Sequence, residues 1–187
     1  MKSLYSIVAI GIMCLPALRA ADAPKFTSDG KLEFPTDYRE WIFLSSGLGM
    51  TYSSGRPDAN PQFDNVFVEP SAYREFLKTG KWPEKTVFVL DVRASSTEGS
   101  INRGGHFQQG QARVSAEVKD SKRFGADQWA YFAFPENKQP AERLPRSAGC
   151  FACHSANGAV ENTFVQFYPT LIDVARSKGT LKLGVIK

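Results

Sequence analysis

"VFVEPSAYREFLKTGKWPEKTVFVLDVR", residues Val66 to Arg93, carries the signals that decide the fold class. Its outer parts, "NVFVEP" and "KTVFVLDVR", are rich in β-branched and aromatic residues and read as strands. Between them "PSAYREFLKTG" reads as a helix, with Pro70 near the first turn, Tyr73, Phe76 and Leu77 on one face, and Gly80 as the stop. Outward on both sides the same strand signature recurs in "WIFLSS", "HFQQGQARVSAEVKD" and "WAYFAF", segments bounded by Gly, Pro, Asn or Asp. "SSTEGSINRGG" has no periodicity and reads as a loop. Near the end, Phe164, Phe167, Tyr168, Leu171, Ile172 and Ala175 keep the spacing of a helix face that ends at Gly179. Pro169 must kink that helix or start its second half. The expectation is an α+β fold, predominantly β, with an antiparallel sheet and a few helices. No internal repeat and no second domain is visible.

The chain has 187 residues, the size of one domain with a small attachment. "MKSLYSIVAIGIMCLPALRA" supplies that attachment: Lys2, an apolar run from Leu4 to Leu18, and small residues at Ala20 and Ala21. This pattern predicts a signal peptide over residues 1–20, with the domain over 21–187 and export to the periplasm. The run is shorter than a membrane span and is broken by Pro16 and Arg19. Cleavage would discard Cys14, Lys2 and Arg19, leaving 21 basic against 19 acidic residues, a net charge of +2. So weak a field argues against nucleic acid or, after cleavage, a membrane as the main partner.

Cleavage leaves Cys150 and Cys153 as the only cysteines and His106 and His154 as the only histidines. Both cysteines and one histidine fall within "SAGCFACHSANGA", Ser147 to Ala159. C-x-x-C-H is the attachment signature of c-type haem. Thiols one helical turn apart can add to the two vinyl groups on one side of a porphyrin, and the following imidazole becomes the proximal iron ligand. Two other readings compete. A disulfide or redox pair fits the oxidising compartment but lacks a βαβ context. A structural zinc site wants four ligands, and only His106 remains to join the three. Most of the domain precedes the motif, so the earlier residues must build the pocket.

"YREW" at Tyr38 to Trp41, the Val66 to Pro83 block, "VKDSKRF" at Val118 to Phe124, and "CFACHSAN…FVQFYPTL" at Cys150 to Leu171 resemble the cytochrome P-460 family, which includes the cytochromes c′-β. The resemblance implies a predominantly β homodimer with one covalent haem c per chain and five-coordinate iron. Cytochromes P-460 proper oxidise hydroxylamine, whereas cytochromes c′-β bind nitric oxide or carbon monoxide. In the enzyme branch a lysine bonds to the porphyrin and a distal carboxylate handles protons. Here the lysine position falls on Leu90 and the carboxylate position on Ser115, so both depart from the enzyme pattern. Lys85 would lie on the opposite face of the strand from Leu90. Glu117 shares the face of Ser115 and is a distal-pocket candidate; its alternative is a solvated or salt-bridged glutamate. Period two puts Phe88, Leu90 and Val92 on one face as an apolar wall or as sheet core, with Phe63 or Phe67 as candidate additions. Met50 and His106 are the remaining candidates for a second axial ligand, and neither has a feature aiming it at iron. The expectation is a gas-binding haem protein, with hydroxylamine oxidation and plain electron transfer as alternatives. The redox partner is not legible.

Overall fold

A computed structural model describes residues 23–52, 60–182 and 184–185. The expected signal peptide lies outside the described residues. Five strands form one sheet in the order β1-β2-β3-β4-β5, every pair antiparallel. They are β1 (Ile42–Leu48), β2 (Phe63–Val68), β3 (Val87–Ser96), β4 (Phe107–Lys119) and β5 (Trp129–Phe134). Among the described residues four α-helices accompany them: α1 (Pro70–Thr79), α2 (Ser121–Phe124), α3 (Gly149–Asn157) and α4 (Ile172–Ser177).

Alternation along the strands gives the sheet two buried faces. Val87, Val89, Ala116, Val118, Ala130 and Phe132 point to one, where the amino-terminal segment covers them with Leu32, Tyr38 and Phe34. Phe88, Val68 and Trp129 point to the other, under Phe76 of α1, Leu171 and Ala175. Trp82 is the hinge of this second core, its ring centroid 4.1 Å from Phe76 and 4.7 Å from Phe88.

Local chemistry sets the helix ends. The Glu69 carboxylate accepts hydrogen bonds from Ser71 N–H and Ala72 N–H at the start of α1. Gly80 ends that helix at φ 71°, and a Cβ there would stand 2.7 Å from Lys178 Cβ, so both conformation and space demand glycine. The helix expected after the C-x-x-C-H motif is divided instead. A 3-10 turn covers Val165–Phe167 and α4 starts only at Ile172. Pro169 forces the break, because the residue before a proline is driven out of the helical region and Tyr168 is extended at φ −106°, ψ 91°.

Phe63 and Phe67 do not join an apolar wall with Phe88. On β2 they alternate with Asp64 and Val66, and Phe67 packs on Tyr38 and Phe43 on the opposite side of the sheet.

Asp120 locks the β4 end to the β3 start. It is buried, caps α2 by accepting from Arg123 N–H at 3.1 Å, and pairs with the Lys85 ammonium. Burial works to raise its pKa, but the Lys85 and Arg123 contacts outweigh it and hold the group below the usual carboxylate value. A depressed folded pKa gives stability that is present above the unfolded pKa and lost as pH falls through the folded one. Asp120→Asn should therefore cost about 1–2 kcal/mol near neutral pH, with the difference fading in acid. Chemical denaturation at about pH 7 and about pH 2 checks this; a pH-independent difference would contradict it.

Candidate functional site

The face of the sheet carrying Phe88 is not filled along its whole length. Toward β1 and the far part of β4 a cavity of about 360 Å³ opens between the strands and α3. Its sheet wall is ordered by register: Val66 pairs with Leu90 and Leu90 with Ser115, while Val68, Phe88, Glu117 and Tyr131 form the adjoining row. Leu90 and Ser115 are thus direct cross-strand neighbours, and both line the cavity. Phe88 and Glu117 also line it, whereas Val92 is fully buried outside it. Phe164 and Phe167 supply aromatic surface opposite the strands.

The segment after β5 runs back along that strand, with Leu144 N–H donating to Tyr131 O at 2.8 Å. This delivers the start of α3 to the cavity edge. Cys150 and Cys153 are three residues apart on the helix and so share a face. Both are free, half-buried thiols lining the cavity. His154 comes next, held between the rings of Tyr131 at 4.6 Å and Phe164 at 4.4 Å.

His154 Nδ1 lies 2.8 Å from the Asn162 carbonyl. A carbonyl only accepts, so Nδ1 carries the hydrogen and Nε2 keeps a free lone pair. The turn that presents Asn162 is strongly pinned. Gly158 N–H donates to His154 O at 2.9 Å, Trp82 Nε1–H to Thr163 Oγ1 at 2.8 Å, and Lys119 Nζ to Glu161 Oε2 at 2.7 Å.

Glu117, a distal-pocket candidate by its position on the face of Ser115, lines the cavity close beside His154. Its Oε1 lies 3.5 Å from His154 Nδ1, behind the imidazole rather than before its free nitrogen. Strand register is the cause: Glu117 is paired with Tyr131, the strand residue on which the His154 ring rests. Burial pushes the Glu117 carboxyl up, with the His154 charge opposing. Burial works to lower the His154 pKa, but Glu117 outweighs it and the net direction is upward.

The cavity rim carries groups that the sequence did not single out. Asp64 and Arg113 flank Val92 in one cross-strand row, and Tyr52 stands beside them. Burial raises the Asp64 pKa, and Arg113 opposes it. The signal for Asp64 was its alternation with Val66, legible once β2 is known to border the cavity. Met50 also lines the cavity, folded over Gly47, while His106 is exposed and is not among the lining residues.

Two thiols on one helix face, an adjacent imidazole with its free nitrogen available, and walls of Phe88, Leu90 and Phe164 fit a porphyrin held by Cys150, Cys153 and His154. A covalently held haem there would supply an iron centre for binding small ligands or passing electrons.

The family model described as Cytochrome P460 matches residues 35–165. The chain belongs to the cytochrome P-460 family. It is accordingly a haem protein of that family, with the predominantly β architecture expected of it. The match spans every strand and reaches past His154, so the cavity and the motif lie within the shared domain. No curated protein matches the chain.

Proposed function

We propose that the protein is an exported c-type cytochrome of the c′-β kind, carrying one haem per chain through Cys150 and Cys153, with His154 below the iron and the opposite side open to nitric oxide or carbon monoxide. A periplasmic homodimer completes this reading. The observation that carries it is the Leu90–Ser115 pair on the cavity wall. Those two positions answer to the porphyrin-bonding lysine and the distal carboxylate of the hydroxylamine-oxidising branch, and here they offer neither an amine nor an acid. No lysine lines the cavity among the described residues, and Lys85 is engaged with Asp120 outside it. An apolar wall suits small uncharged diatomics and leaves few groups to move protons.

One observation favours the second reading, a P-460-type oxidoreductase acting on hydroxylamine or a related nitrogen compound. Asp64 is a half-buried cavity carboxyl with an upward-shifted pKa, facing Arg113 and Tyr52, and so is suited to holding or releasing a proton.

Mass and ligand binding separate the two. The purified protein should have the mass of its polypeptide plus one ordinary haem, take up both gases when ferrous, and turn hydroxylamine over slowly or not at all. Rapid hydroxylamine oxidation would overturn the gas-binding reading and make Asp64 the first residue to replace. A six-coordinate low-spin spectrum would instead indicate an electron carrier, with Met50 as the first ligand to test.

A further inference from the structure

Glu117 is a buried acid with an unsatisfied oxygen. Among the described residues its Oε1 meets no donor in hydrogen-bond geometry, and the Tyr131 hydroxyl, which acts on the same carboxyl, is likewise without a partner in good geometry. Such orphaned buried atoms call for an explanation, because burying a polar atom without a partner forfeits its hydration and gains nothing in return. The nearest ring donor is His154 Nδ1, 3.5 Å away, which already meets the Asn162 carbonyl at 2.8 Å. An N–H can be shared between two acceptors.

We propose that Glu117 is a positioning residue for the haem ligand: its carboxylate is the second acceptor for the His154 Nδ1–H and sets how strongly the imidazole donates to iron. The inference rests on His154 being the proximal ligand. Iron bound at Nε2 withdraws electron density and makes Nδ1–H a better donor. The shared hydrogen then moves toward the two oxygens, and a carboxylate attracts it more strongly than a carbonyl does. The orphaned oxygen thereby gains its partner. With haem bound, a more basic imidazole would favour the ferric over the ferrous state.

The geometry suits this role. Glu117 enters from the middle of β4, clamped between β3 at Phe88 and β5 at Tyr131, so its carboxyl has a fixed approach to the ring. The charged and titratable groups acting on it are His154, Tyr131 and Glu161, with the buried Tyr168 hydroxyl also within its field, and Glu161 is paired with Lys119.

The test uses the haem-loaded protein and two readouts: the iron–histidine stretch of the ferrous form in resonance Raman, and the midpoint potential. Glu117→Gln keeps shape and an acceptor oxygen but removes the charge. It should lower the stretching frequency and favour the ferrous state by about tenfold, a rise of about 59 mV for one electron. Glu117→Asp retains the charge at greater distance and should shift both in the same direction by less, which also provides the reading if the glutamine variant does not accumulate. Unchanged stretch and potential, even with altered thermal stability, would reduce Glu117 to a packing residue and overturn the inference. Absence of any iron–histidine stretch in the unaltered protein would overturn the ligand assignment itself.

Discussion

Cys150→Ala combined with Cys153→Ala should abolish haem staining at the mature mass on a denaturing gel, while the unaltered protein stains strongly. Denaturation dissolves the cavity and frees any iron–imidazole bond, so only a carbon–sulfur bond can carry porphyrin through the gel. Both thiols stand on one face of α3 at the cavity edge, where each can reach the same side of a bound ring. Either single substitution leaves one thioether possible and should retain part of the stain. Persistent staining in the double variant, or none in the unaltered protein, would refute covalent attachment through this motif.

Gly158→Ala should be the most damaging methyl group that can be added near the site. A Cβ at Gly158 would stand 2.7 Å from Asn162 C and 2.8 Å from both His154 O and Thr163 N. All three are backbone atoms. The backbone at Gly158, φ −67° and ψ 127°, is open to any residue, so the penalty is purely one of space. Relief would require moving either the end of α3 or the Asn162–Thr163 turn, and Trp82 and Lys119 hold that turn in place through Thr163 and Glu161. Overpacking of this kind costs about 1–3 kcal/mol, and here it should also draw the Asn162 carbonyl off His154 Nδ1. Gly149→Ala is the control, since among the described residues nothing lies within 4 Å of a Cβ there. Denaturant melts of the two variants decide the matter: equal stability would mean that the turn yields freely.

All five strands and α1 were legible because their residues alternate or recur at spacings set by backbone geometry, and their ends carry Pro, Gly or Asp. That Cys150, Cys153 and His154 come together at one cavity edge was legible because they stand within five residues of each other in sequence. What escaped was lateral. The sequence places Glu117 on the face of Ser115, which the register bears out, but it cannot say that the next strand brings Tyr131, and α3 behind it, to that acid. Asp64 was hidden in the same way, for its position matters only once β2 borders the cavity. The backbone oxygen of Asn162 has no sequence signature, since every residue carries one. The divided helix at 165–177 was half legible: Pro169 announced a break, but the amount of chain lost to it depends on how Tyr168 and Leu171 pack into the core.

The sheet is a plain meander, each strand paired within it with the strands next to it in sequence, and this has a bearing on how the molecule assembles. Pairings between adjacent strands close short loops, which makes them quick to form. The contacts that bring the cysteine-bearing segment home are of another order: Trp82 reaches Thr163 across 81 residues, and Lys119 reaches Glu161 across 42. In a chain emerging amino-terminus first, every strand precedes Gly149. The walls can thus stand while the thiol-bearing segment is still free, and Cys150 and Cys153 remain accessible until that segment's own long-range contacts draw it shut.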